Sequence, residues 1–200
     1  MRCIRNGVLA KPKGSDKIYA LHAPEVDCIS KGKARVRYEF GCKVSIATTL
    51  DEGFVIGMRS FPGNPYDGHT LGQALEQVEI LTDQRPELAV VDRGYRGHGE
   101  DRTRVLISGT RRGLTPKLIA DLRRRSAIEA EIGHMKTDGR LTRSTLKGTF
   151  GDALFAVLCA CGHNIRKILA HLRALLAFII AVILSTLRPP GPDQRSLKPT

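Results

Sequence analysis

The chain has 200 residues, enough for one domain with a sizeable core. Its 32 Lys and Arg against 20 Asp and Glu leave a formal charge of +12, which points to a polyanionic partner, most simply nucleic acid. Five cysteines (Cys3, Cys28, Cys42, Cys159 and Cys161) are odd in number with no secretory signal before them. They argue against a disulfide framework and for reduced thiols in a cytoplasm.

Residues 1–16 lack periodicity and are expected to be irregular. Pro24 and Gly32 then argue for extended chain and turn as far as Ala34, where Lys31 and Lys33 face either phosphate or solvent. Val36 to Thr48 alternates apolar and polar residues, the pattern of a half-buried strand. Phe54 to Phe61 makes a second strand after the turn at Asp51-Glu52-Gly53, so the two predict a hairpin. Beyond the break at Pro62-Gly63-Asn64-Pro65, Leu71, Ala74, Leu75, Val78 and Leu81 recur at helical spacing. They predict a helix over His69 to Thr82 that packs on the sheet.

Leu88-Ala89-Val90-Val91 reads as a strand buried on both faces, ending at Asp92-Arg93-Gly94-Tyr95. A carboxylate at that end lies where open α/β sheets place their sites, although a turn-forming Asp is the plainer reading in isolation. Arg104 to Ser108 is a further short strand. Thr115-Pro116 caps and opens a helix that nothing breaks before Asp138-Gly139. At about 100° per residue, Arg125, Glu129 and Lys136 fall within about 40° of one another on it, and Glu131 points about 160° away. An acid between two cations suits a metal and a phosphodiester, while a solvated face of ion pairs is the alternative. From Arg102 to Lys147, 12 Lys and Arg stand against 4 Asp and Glu.

From Thr149 the chain is helical and apolar. The uncharged run Ala174 to Leu187 has 14 residues against the roughly 20 that span a bilayer, so a packing or interaction helix is expected and no membrane partner. Cys159-Ala160-Cys161-Gly162-His163 mimics a metal tract but lacks a second ligand pair, so zinc is not expected. Arg188 to Thr200 reads as a disordered tail.

A hairpin, a helix, a strand ending in Asp, another strand and a helix bearing Glu is the order of an RNase H-like α/β domain. Over Lys17 to Leu184 the chain resembles the carboxyl-terminal part of bacterial insertion-sequence transposases of the DDE type. Three stretches carry the resemblance: Tyr19 to Val26 with Tyr38-Glu39-Phe40-Gly41, then Asp92-Arg93-Gly94-Tyr95, then Arg125-x3-Glu129-x6-Lys136. The aromatic residue that often precedes this Arg by three positions is Leu122 here.

The resemblance implies DNA transposition by metal-dependent phosphodiester cleavage and strand transfer. Asp92 and Glu129 would be catalytic and would be two of three carboxylates holding Mg²⁺ or Mn²⁺, which favour hard oxygen ligands. Arg125 and Lys136, with Arg93 and Arg124 beside the two acids, would bind the DNA of an insertion-sequence end. Partners would be DNA and a further copy of the chain or full-length transposase, in the cytoplasm at the nucleoid.

The family's first Asp ends the strand before the hairpin, and no apolar strand ending in Asp stands there. Asp16, Asp27 and Asp51 have the wrong contexts. The expectation is therefore an amino-terminally truncated, catalytically incomplete copy, its status as an enzyme left open. Residues 17–148 would form a partial catalytic domain and 149–187 a helical region, with 188–200 as the tail. The alternative is a non-catalytic fragment that binds DNA or full-length transposase and inhibits it. A missing first strand would also leave an unpaired hairpin edge and poor solubility.

Overall fold

The computed structural model describes residues 4–5, 8–9, 17–30, 37–110 and 113–187. Asp16, Val36 and the expected tail lie outside them. The chain divides into two compact units, Met1–Asn164 and Ile165–Thr200.

The first unit is mixed α/β, with its strands in four two-stranded sheets. Strands β1 (Ile4–Arg5) and β2 (Val8–Leu9) pair antiparallel, so the stretch expected to be irregular holds two short strands. Strand β3 (Asp27–Ser30) pairs antiparallel with β4 (Tyr38–Gly41), and β5 (Lys43–Thr48) pairs antiparallel with β6 (Val55–Phe61). The single strand expected from Val36 to Thr48 is thus two, which change partner at Cys42. Alternation runs unbroken through both and carries no information about the partner.

Helix α1 (Asp67–Thr82) buries Leu71, Ala74, Leu75 and Val78, the spacing expected of it, and packs against β6. Strand β7 (Leu88–Val91) pairs in parallel with β8 (Arg104–Ile107). All four residues of β7 are half-buried, not buried on both faces as the apolar run suggested. Among the described residues only one strand flanks it, so its apolar surface is covered incompletely.

Helix α2 (Pro116–Arg124) starts where expected, with Thr115 Oγ1 accepting from the Leu118 N–H and Pro116 at its first position. The expected continuous helix then breaks. Ser126 donates its hydroxyl to the Arg123 carbonyl at 2.6 Å and a turn intervenes before α3 (Ala127–Thr137). A serine hydroxyl competes with the helical ladder in this way, and periodicity does not register the competition. Arg125 therefore lies in the corner between two helices and shares no continuous helix face with Glu129 and Lys136.

Helix α4 (Gly148–Leu187) begins in the first unit. There Val55, Met58, Met135, Ala156 and Ala160 form the core, with Val44, Ile46, Ile132 and Leu141 against it. Met135 has no exposed surface. Asn164 clips α4 to the hairpin: its Oδ1 accepts from the Val55 N–H at 2.9 Å, and its Nδ2 donates to the Val55 carbonyl at 2.8 Å. The clip sits where the β5–β6 register shifts, so a side-chain amide serves backbone groups where the strand pairing is irregular. Cys159 donates to the Gly139 carbonyl, Cys161 is exposed, and His163 lies 3.0 Å from Glu131, so the three residues of the metal-like tract serve different neighbours.

In the second unit the described residues are helical and almost all exposed, including Leu175, Leu176, Phe178, Ile179 and Ile180. The 14-residue apolar run is part of one long helix. By length and composition, that helix is long and apolar enough to cross a membrane.

Arg85, just past α1, lies 2.8 Å from both Glu79 and Glu100, and Arg102 lies 2.9 Å from Glu79. The Arg85 hydrogen bond holds the Glu79 carboxyl below its ordinary value. Burial pushes Glu100 upward, but Arg85 and the N–H groups of Arg102 and Thr103 outweigh it, and the net shift is downward. Depressed carboxyls add stability above the ordinary value of 4.5 that is lost as pH falls through their lower folded values. Acid titration of stability should therefore be shallower for Arg85→Met than for wild type below that value, and equal slopes would remove the network from the account. Asn164→Ala should cost on the order of 2 kcal/mol in chemical denaturation, because it strands both backbone groups of Val55.

Candidate active site

Asp92 follows β7 in extended conformation, and its Oδ1 accepts from the Gly94 N–H at 2.9 Å. That bond caps the short turn Arg93–Tyr95, so the turn-forming role of this Asp is real. Its other oxygen, Oδ2, stands 3.8 Å from the Arg125 guanidinium, beyond hydrogen-bonding reach. The residue is exposed; one oxygen shapes the turn and the other faces Arg125.

Tyr95 turns inward, its hydroxyl 3.5 Å from Ser45 Oγ on β5. Burial pushes the phenol above its ordinary value, and the charges of Asp67 and Asp92 add to the effect. Arg93 folds against the turn after β8: a Cβ built on Gly109 would lie 2.7 Å from Arg93 Nε. At the corner before α3, Arg124 contacts the Asp51 carboxylate and Arg125 faces Asp92. The Arg124–Asp51 pair ties the corner to the hairpin turn.

Glu129 is exposed in the first turn of α3, where a carboxylate is favoured by the helix dipole, and Lys136 is exposed in the last turn. Seven residues apart, they lie within about 20° on one helix face. Glu131, on another face, is half-buried against the buried His163.

The expected site residues thus fall into two groups. Asp92 and Arg125 are brought together, while Glu129 and Lys136 share a face of α3. Among the described residues, no three His, Cys, Asp or Glu side chains converge as a metal-holding group. Of the acids weighed for the first position, Asp27 accepts from the Gly63 N–H at 2.7 Å and Asp51 contacts Arg124.

Sequence reading missed Asp67, the first residue of α1. Its Oδ1 lies 2.9 Å from Lys43 Nζ, and its Oδ2 would lie 2.8 Å from a Cβ on Gly94. The available signal was topological, since a helix running back from β6 starts at the end of the molecule where β7 finishes.

A family model described as transposase DDE domain matches residues 21–165. No curated protein and no solved structure matches the chain. The matched span covers most of the sequence and contains Asp92, Arg125, Glu129 and Lys136, and the chain belongs to the transposase DDE domain family.

Proposed function

We propose that this domain acts on DNA at insertion-sequence ends as part of a DDE-type transposase, with Asp92 and Glu129 as two of its catalytic acids. The observation that carries the reading is Asp92 itself: an exposed carboxylate at the end of a parallel strand, with an arginine 3.8 Å from the oxygen that the turn does not use. The antiparallel β5–β6 pair, α1 and the parallel β7–β8 pair support an RNase H-like chain order.

The donor set suits a hard divalent cation. Mg²⁺ binds through one or two carboxylates plus waters and phosphate oxygens, and Asp92 and Glu129 would hold it or Mn²⁺. Such an ion, when bound, activates a hydroxyl and stabilises the leaving oxygen in phosphoryl chemistry. Lys136 and Arg125, with Arg93 and Arg124, would neutralise backbone phosphates. Arg124 and Arg125 form exposed or half-exposed ion pairs, which contribute little stability, so phosphate can compete for them. With Asp27 and Asp51 engaged elsewhere, two acids alone make a catalytically incomplete centre. The chain by itself binds DNA without cutting it.

A second reading, a non-catalytic fragment that associates with full-length transposase, is favoured by the exposed apolar side chains after Ile165. Co-purification with full-length transposase supports it, and failure to associate removes it.

Duplex binding followed by fluorescence anisotropy should weaken steeply with salt. Lys136→Ala should lower the slope of log affinity against log salt by about 1. No Mg²⁺-dependent nicking is expected, and nicking that Glu129→Ala abolishes would overturn the incompleteness.

A further inference from the structure

We propose that Asp67, gripped by Lys43 at the start of α1, is the positioning residue for Asp92: it fixes the turn from which Asp92 presents its carboxylate. The inference rests on the reading of Asp92 as a cation ligand.

Three close approaches join the start of α1 to that turn, and Lys43 fixes the start of α1 to β5. Asp67 Oδ2 and Asp92 Oδ1 both stand close to Gly94: a Cβ there would lie 2.8 Å from the first and 3.0 Å from the second, so a larger residue would push a carboxylate aside. Lys43, the first residue of β5, lies 2.9 Å from Asp67 Oδ1 and also donates to the Pro65 carbonyl, which pins the start of α1 to the hairpin. The Tyr66 hydroxyl donates to the Arg96 carbonyl at 2.9 Å, just past the Asp92 turn. Gly68 closes the set: a Cβ there would lie 2.8 Å from the Tyr66 ring and 2.9 Å from the Arg96 carbonyl oxygen.

An acid in the first turn of a helix is common for the sake of the helix dipole alone. Asp67 differs in its second approach, to Gly94. Asp67 is paired with Lys43 at 2.9 Å, whereas Asp92 Oδ2 has, among the described residues, a cation no nearer than Arg125 at 3.8 Å. The two carboxylates therefore have separate tasks, one structural and one facing a ligand.

The test is titration of the full chain with Mn²⁺, the free ion read by electron paramagnetic resonance, without DNA or turnover. Lys43→Met removes a positive charge beside two carboxylates, so charge alone would tighten Mn²⁺ binding. Positioning predicts the opposite sign: a loosened turn and binding weaker by about tenfold, as for other residues that orient a metal ligand. Unchanged or tighter binding by a folded Lys43→Met chain overturns the proposal. Tyr66→Phe changes no charge and removes only the hydroxyl that holds Arg96. It should weaken Mn²⁺ binding too, and if Lys43→Met does not fold, wild-type affinity in Tyr66→Phe overturns the proposal. Asp92→Asn separates the two ways of failing. If it leaves Mn²⁺ affinity unchanged, Asp92 is not the ligand, and the functional reading falls with the positioning role. If it abolishes binding while the other two variants match wild type, only the positioning role falls.

Discussion

Asp67 and Asp92 bring a carboxylate oxygen each close to the same glycine, and on the proposed reading the candidate site depends on that crowding. Two carboxylates this close repel unless something offsets their charge, and Lys43 does so on one side while Arg125 stands near the other. The turn after β7 meets α1 through the Tyr66–Arg96 bond and β5 through Ser45, and Arg125 stands near it. None of these segments is adjacent in sequence. A residue that appears in isolation to be an ordinary turn aspartate is set by contacts drawn from more than eighty positions of chain, Lys43 to Arg125.

The corner between α2 and α3 has a comparable role. Because Ser126 ends the helical ladder, two successive arginines diverge, Arg124 toward the hairpin turn and Arg125 toward Asp92. On the proposed reading, this region is a reservoir of cations lightly tied to acids. Weak surface pairs suit such a purpose, since a phosphate backbone must displace them at little cost.

On the proposed reading, stability and function are separated on α3. Met135 and Glu131 face inward from α3, toward the core and His163, while Glu129 and Lys136 face outward from the same helix. Glu131, which points away from Glu129 on α3, pairs with His163. Helix α4 supplies Ala156, Ala160 and Asn164 to the first unit. Its later residues have apolar side chains almost entirely exposed, and a helix apolar on all sides is ordinarily covered by something.

Much of the local structure was legible in the residues. The helical spacing of Leu71, Ala74, Leu75 and Val78, the hairpin turn, the Thr115-Pro116 cap and a strand closing at Asp92 are all short-range patterns, written within a few residues of where they act. So was the family, through Asp92-Arg93-Gly94-Tyr95 and the Arg125, Glu129, Lys136 spacing. Tertiary structure alone decided the change of strand partner at Cys42 and the placement of Asp67 against Gly94, whereas the break at Ser126 is a local hydroxyl bond that periodicity does not register. Periodicity describes how a segment repeats along itself. It does not say which distant segment the hydrogen bonds, carboxylates and arginines of that segment will meet.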